Sequence, residues 1–339
     1  MKVLFLEPFF GGSHKDFALG FKAAFRHEVT LVTLPDRFWK WRMRGAALDF
    51  VSRVKDFSVY DLILATDMLD LTDLMALAEF GSGSGACRGS GTGLPPVWLY
   101  FHESQFDYPL APGEKRDFHL GFTNLVSAAA ADRVFFNSSS HMKAFFNHAE
   151  QLIRRMPDHR PDWMPERIKA RSRVIYPGCR FEKGDLELLP RDSGPPLIIW
   201  NHRWEHDKNP EPFFRALRRL KKKDIGFSLA VLGENFSKAP ACFKQAEKEF
   251  GDELVAFGYC ESREDYLAWL EKGSIVVSCA NQENFGISVV EAVRHGCLPL
   301  LPDRLSYPEL IPEAFHSKVL YETDHQFETR LEQALMNPE

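Results

Sequence analysis

Four side chains in the second half of the chain have the types and spacing to hold a doubly phosphorylated, hydroxyl-rich ligand. Arg203 and Lys208 lie in NHRWEHDKNPEPFF (residues 201–214), past a short apolar run and before a Pro-containing helix start. Two cations on such a loop can pair with the two phosphates of a nucleoside diphosphate and offset the charge that builds on it as it leaves. An Arg and a Lys in a loop equally suit a solvated surface, so the pair needs company. ENFGISVVE (residues 283–291) supplies it, placing Glu283 ahead of a helix that starts near Gly286 and Glu291 within that helix. The amides of Phe285, Gly286 and Ile287 would project from the helix N-terminus, where phosphate oxygens bind. Carboxylates beside an anion site make electrostatic sense when they meet neutral groups such as sugar or ribose hydroxyls. An acidic first turn favoured by the helix dipole explains Glu283 but leaves Glu291 unexplained.

The first half offers a looser set. His14 and His102 are the imidazoles nearest to strand ends, and His102-Glu103 directly follows the apolar run at residues 97–101. Asn137 and Ser138 end another run, where they can bind donor or acceptor, or cap the following helix. Gly11 and Gly12 would let the backbone approach donor phosphates or acceptor closely, although a tight turn needs the same glycines. RFWKWRMR (residues 37–44) interleaves Trp39 and Trp41 with Arg37, Lys40, Arg42 and Arg44, which suits phosphate contacts with base stacking. A second basic run holds Arg154, Arg155, His159, Arg160, Arg167, Lys169, Arg171 and Arg173. Taken by itself, each run also reads as a solvated helix face with buried aromatics. No Asp-x-Asp pair ends a strand, and Asp67-Met-Leu-Asp70 has the wrong spacing for one. Fixed cations would then replace a divalent metal at the leaving group, and transfer is expected to need no metal and no cofactor.

The elements that must position these residues alternate regularly. Strand-like runs at residues 2–6, 28–34, 62–65, 97–101, 133–137 and 173–176 are separated mainly by helical or irregular stretches, beginning with a helix at 15–25. After a polar stretch at 177–196, five more runs follow at 197–200, 227–232, 254–257, 275–278 and 298–301. Helical spacing lies between them at 211–223, 239–250, 263–272 and 286–295, and again at 325–336. Such alternation predicts α/β architecture with two doubly wound parallel sheets, divided into residues 1–180 and 181–339. Ligands in such sheets bind at the carboxyl ends of the strands, so a cleft between the halves is the expected site. Residues 81–93, GSGSGACRGSGTG, break the rhythm and read as a flexible surface insertion.

At 339 residues and 45% hydrophobic content the chain has the size of two domains and too much apolar character for disorder. The six scattered cysteines form no CxxC or Cys/His metal pattern, which suits a reducing compartment. No run of 18 apolar residues occurs, and Glu7 and Pro8 interrupt MKVLFLEPFF too early for a signal sequence. A soluble cytoplasmic protein is expected, with no membrane association and no obligate protein partner. The net charge of −5 argues against a generic nucleic-acid binder, but it is unevenly spread. Residues 1–180 carry 23 Lys and Arg against 20 Asp and Glu, whereas the remainder carries 19 against 27. An anionic macromolecule should therefore prefer the first half.

Arg203-x4-Lys208 followed by Glu283-x7-Glu291 resembles the donor-site signature of the retaining, group-one GT-B glycosyltransferases. Further strings sharpen this: EPFFGGSHK (7–15), FHESQFDYP (101–109), FNSSSHM (136–142), PDHRP (157–161) and HRWEHDKNPEPFF (202–214). Together they resemble the tRNA-queuosine alpha-mannosyltransferases, from residue 1 to about residue 307. The resemblance implies a GT-B fold of two Rossmann-like domains with an interdomain cleft, and transfer of mannose from GDP-mannose to queuosine in the anticodon loop of aspartate tRNA. It implies that Arg203 and Lys208 bind the diphosphate, Glu291 the donor ribose and Glu283 the sugar hydroxyls, and that His102 contacts the sugar near its reacting carbon. Lys40, Arg42, Arg44 and Arg160, with His14, Asn137 and Ser138, become acceptor-side candidates. Asn284 stands where many of the broader class carry Pro or Gly, which weakens sugar selectivity inferred from that class. Other readings are a same-fold enzyme with a lipid or small-molecule acceptor, and a non-catalytic nucleotide-sugar or tRNA-binding protein.

Overall fold

The structure is a computed structural model, and it describes residues 1–81, 94–106, 117–179, 181, 194–234 and 239–337. Apart from residue 81, the Gly-rich insertion lies outside the described residues. The chain divides into two compact units, Met1–Phe181 and Glu182–Glu339.

Among the described residues of the first unit, six parallel strands form one sheet: β1 (Lys2–Phe10), β2 (Glu28–Pro35), β3 (Leu62–Thr66), β4 (Val97–Phe101), β5 (Arg133–Phe136) and β6 (Ser172–Val174). Their order is β2-β1-β3-β4-β5-β6. Side chains alternate across the sheet, as the two-residue period of a strand requires. Leu4, Leu6, Ile63, Ala65, Leu99 and Phe136 enter one core, whereas Val3, Phe5, Leu62, Leu64 and Tyr100 enter another with Ala18. Burial on both faces explains why these strands read as unbroken apolar runs. Strand β1 outlasts the predicted residues 2–6 because a register shift between Glu7 and Phe10 lets it stay paired with β2 as far as Pro35. That shift occurs where a carboxylate, Glu7, is completely buried.

The described residues of the second unit also form six parallel strands, one more than its five apolar runs predict. They are β7 (Leu197–Asn201), β8 (Ser228–Leu232), β9 (Leu254–Gly258), β10 (Ile275–Val277), β11 (Leu298–Pro302) and β12 (Leu320–Tyr321). The extra strand is β12, whose two residues are too few to show a period. The order β12-β11-β10-β7-β8-β9 reverses direction between β7 and β10. A crevice opens at such a reversal because successive connections leave on opposite sides. The loops after β7 and β10 carry Arg203, Lys208 and Glu283. The first unit reverses between β1 and β3, and Glu7, His14 and Asp67 are carried there.

Candidate functional site

In the second unit, a 3-10 turn, His206–Lys208, joins the two switch-point loops. The backbone amides of Asn281 and Gln282 donate to the Asp207 carbonyl at 2.7 and 3.3 Å, and Asn209 Nδ2 donates to the Cys279 carbonyl at 3.2 Å. Lys208 is thereby buried, an unusual place for an ammonium unless several acceptors surround it. Its Nζ donates to the Gln282 carbonyl at 2.8 Å and to Glu283 Oε2 at 3.3 Å, and lies 3.2 Å from Asp207 Oδ2. Burial pushes the Glu283 carboxyl up, but Lys208 outweighs it and holds the group below its ordinary value. Glu283 is therefore a carboxylate at neutral pH, equipped to accept hydroxyl protons. Arg203 is half exposed and pairs with Glu205 at 3.1 Å.

Glu291 is buried in the helix Ile287–Arg294, where Arg263 donates to Oε1 at 2.7 Å and the Tyr266 hydroxyl to Oε2 at 3.1 Å. Asn201 extends this chain, giving Nδ2 to Tyr266 at 3.1 Å and to the Ser288 carbonyl at 2.7 Å. Both predicted carboxylates thus sit beside cations, and each retains further acceptor capacity for hydroxyls. The predicted amide cradle is only partly open to a ligand, because Phe285 N–H turns to Glu283 Oε1 at 3.4 Å. Gly286 and Ile287 open the helix and have no intrahelical acceptor by geometry. Gly286 has φ +97°, which favours glycine, and a Cβ there would also lie 3.1 Å from Leu310 Cδ1, a tight contact.

Sequence reasoning gave no role to His202, Arg263 or Tyr266. His202 is buried, with Nε2 donating to the Val277 carbonyl at 3.2 Å and Nδ1 3.4 Å from Ser288 Oγ. Burial, aided by the Lys208 charge, pushes its pKa down to about 4, so it is a neutral brace. Its position at the end of β7, next to Arg203, was the one signal the sequence offered. Arg263 and Tyr266 begin a helix with no distinguishing motif, and only tertiary packing brings them to Glu291.

In the first unit, His14, His102 and Glu7 cluster where β1 and β4 end. His14 Nδ1 lies 3.2 Å from Glu7 Oε1, and the two imidazole centroids are 4.0 Å apart. Burial opposes charge on His14, but Glu7 overrides it and raises the pKa to about 9. Burial drives His102 well below the ordinary histidine value, reinforced by the His14 charge. Asp67 accepts the His102 amide at 2.8 Å, and its pKa rises to about 8 through burial, with the His14 charge opposing. The cluster therefore favours a charged His14 and shifts Asp67 toward its protonated form, while His102 stays neutral. Glu7 Oε2 and His102 Nε2 are buried with no hydrogen-bond partner among the described residues. Ligand atoms of Glu7, His14 and His102 lie within 4.8 Å of one another, so this trio has the donor set for a small cation. A proton on His14 balances the Glu7 charge in its place.

Asn137 Nδ2 donates to the His102 carbonyl at 2.8 Å and Oδ1 lies 2.7 Å from His141 Nδ1, so Asn137 fixes the His102 loop. Ser138 caps the helix Ser139–Arg154 by accepting the His141 amide at 3.0 Å. Gly11 has an internal reason, since a Cβ there would collide with Asp36. Gly12, at φ +48°, has open space around its Cβ position and opens the helix Gly12–Ala24. Of the basic candidates, Arg42 donates to the Pro35 carbonyl at 3.1 Å, Arg44 lies 3.5 Å from Asp70, and Arg160 donates to the Met156 carbonyl at 2.8 Å. Lys40 is exposed, with Nζ 5.4 Å from the Trp39 ring centroid. Stacking was expected from Trp39 and Trp41, but Trp39 packs against Met43, Met68 and Leu120; Phe38, 69% exposed, joins Trp41, 76% exposed, on the surface.

Comparison with known proteins adds independent observations. Residues 2–179 match the family described as tRNA-queuosine alpha-mannosyltransferase N-terminal, and residues 186–339 match glycosyl transferases group 1. The tRNA-queuosine alpha-mannosyltransferase of Drosophila melanogaster is 32% identical, with 97% of this chain and 85% of the relative covered. A GDP-mannose:cellobiosyl-diphosphopolyprenol alpha-mannosyltransferase of Xanthomonas oryzae pv. oryzae is 23% identical over 58% of this chain and 51% of the relative. Among solved structures, sucrose-phosphate synthase from Thermosynechococcus elongatus superposes with a TM-score of 0.67 at 14% identity, covering 100% of this chain and 90% of the other. Anabaena HepE in complex with UDP gives 0.64 at 14% identity, covering 100% and 92%. At such identities these structures establish the fold, which is GT-B.

Proposed function

The chain belongs to the tRNA-queuosine alpha-mannosyltransferase family, and we propose on that premise that it transfers mannose from GDP-mannose to queuosine in the anticodon loop of aspartate tRNA, with retention at the anomeric carbon. The chain is a glycosyltransferase that takes a nucleotide-sugar donor and a tRNA acceptor. The observation that carries the reading is identity extending through both units to a tRNA-queuosine alpha-mannosyltransferase. The loop geometry of the second unit supports a donor site there.

In the proposed reaction the bond from mannose C1 to the phosphate oxygen breaks, and a queuosine hydroxyl oxygen bonds to C1. The hydroxyl proton passes to the departing diphosphate. Arg203 and Lys208 stabilise the charge left on that diphosphate, as preorganised cations do most effectively in a partly desolvated site. Glu283 and Glu291 accept hydrogen bonds from hydroxyls of the sugar and the ribose respectively, and the amides of Gly286 and Ile287 face phosphate oxygens. His102 presents its neutral imidazole to the donor sugar. Two cations at the diphosphate make a divalent metal there unnecessary, and transfer proceeds without one. We place the reaction in the cytoplasm, where tRNA is the acceptor; no helix among the described residues is long and apolar enough to cross a membrane.

Incubation with radiolabelled GDP-mannose and queuosine-containing tRNA should place label in the tRNA. Absence of label at saturating enzyme sinks the proposal, and label in a lipid or small-molecule fraction instead would redirect the acceptor.

A further inference from the structure

The helix Trp39–Arg53 begins in a way that is unfavourable for a free surface. Its N-cap residue, Phe38, lies in the left-handed region at φ 56° and ψ 48°, where a bulky side chain is strained. Its side chain makes no capping hydrogen bond, although its carbonyl accepts the amides of Trp41 and Arg42 at 2.8 and 3.1 Å. Phe38 and Trp41 expose most of their rings to water and make no ring contact with each other or with another described residue.

The charge around them is equally one-sided. Residues 37–44 contain four basic side chains and no acidic one. Lys40 and Arg42 stand in the first helical turn, the positive end of the helix dipole, where cations are disfavoured. The first turn contains no acidic residue to offset them. Arg42 and Arg44 have partners in Pro35 and Asp70, but Arg37 and Lys40 have no carboxylate partner among the described residues. Strain, exposed aromatic area and unbalanced positive charge therefore coincide on one short segment.

A partner that presents flat rings and negative charge together covers the exposed rings and neutralises the cations, while the left-handed backbone at Phe38 fixes the ring in its outward position. We propose that Phe38 and Trp41 form a stacking platform for unpaired RNA bases, with Arg37 and Lys40 holding the adjoining phosphates. Single-stranded RNA has this combination of unstacked bases and regularly spaced phosphates, and such surfaces bind it through aromatic rings interleaved with cations. A purely apolar protein partner would leave the cations unanswered. The platform rests on the tRNA reading above and deepens it: it assigns an RNA-binding face to the first unit and replaces Trp39 with Phe38 in that role.

The test uses the full chain and fluorescently labelled queuosine-containing tRNA, with binding read by anisotropy across a salt series. Phe38→Asn retains a residue that tolerates the left-handed backbone while removing the ring. Combined with Trp41→Ala, it should weaken tRNA binding about tenfold per ring, and should raise KM for tRNA while sparing kcat. Arg37→Glu with Lys40→Glu should weaken binding and reduce the logarithmic salt slope by about 0.7 for each phosphate that is no longer neutralised. Circular dichroism and the thermal shift produced by GDP should stay unchanged in both variants, which separates a missing RNA-binding group from a damaged fold. Equal tRNA affinity in wild type and ring variant overturns the platform. So does a ring variant that alters only self-association in sedimentation, which would make the face a protein interface. Failure of the wild type itself to bind tRNA removes the tRNA reading, and the platform with it.

Discussion

Lys208 is the residue on which most of the donor site converges, since its ammonium faces Asp207, Glu283 and the Gln282 carbonyl at once. Lys208→Ala should lower kcat about 100-fold in the mannosyl transfer assay, as removal of a preorganised charge beside a leaving group does. It should also weaken GDP binding, because the buried Asp207 and the partly buried Glu283 carboxylates then repel the diphosphate. His14 makes a different prediction, on stability. Its pKa rises from 6.5 to about 9 in the folded state, so the stabilisation is fully present below pH 6.5 and is lost as pH rises through 9. Thermal melts should show a loss of up to about 3 kcal/mol over that window. Glu7→Gln, which removes the anionic partner, should flatten the decline; an unchanged slope would assign it to other groups. Lys208 and Glu283 were singled out by the joint spacing of Arg203, Lys208, Glu283 and Glu291, since either pair alone also reads as ordinary surface charge. The Glu7–His14 pair was not legible, because it depends on a buried carboxylate at a register shift in β1.

At the scale of elements, the loop-to-helix junctions place the chemistry, and backbone conformation limits them. Gly286→Ala asks an alanine to hold φ +97° beside Leu310, which should cost about 1–2 kcal/mol and be seen as a lower Tm. Because Gly286 also sets the direction of the helix amides, the same variant should bind GDP more weakly. Ser138→Ala removes the cap of the helix Ser139–Arg154 and should cost about 1 kcal/mol. The helix Arg263–Lys272 has the bounds that its helical spacing predicted, and the structure adds the Ser262 cap. β12 was not, since two residues in a sheet are defined by their neighbour β11 rather than by their own pattern. The helix entrance at Phe38 was likewise misread in one respect: alternating Trp and basic residues give no sign of which ring turns inward.

For the whole molecule, ligand and ion dependence are the informative observables. GDP should raise the apparent Tm more than UDP does, because binding to the folded state alone adds about 2.7 kcal/mol at one hundred times Kd. Equal shifts would remove GDP-mannose as the preferred donor. Transfer should continue at an undiminished rate with a metal chelator present. A loss restored by Zn²⁺ would instead place an ion at Glu7, His14 and His102, the trio whose ligand atoms lie within 4.8 Å. The excess of basic residues lies in the unit that carries Phe38 and Trp41, so rising salt should weaken tRNA binding more than GDP binding.

The sequence alone determined the alternation of strands and helices, the second-half cations and carboxylates, and the likeness to tRNA-mannosylating enzymes. These are carried by residue type and short spacing, which a linear chain displays directly. The tertiary structure decided which groups meet. It joined Lys208 to Glu283 across 75 residues, brought Arg263 and Tyr266 to Glu291, and set the imidazoles of His14 and His102 4.0 Å apart. Such pairings arise because parallel strands bring distant loops to a common edge, and pKa values follow from the burial and charge created there.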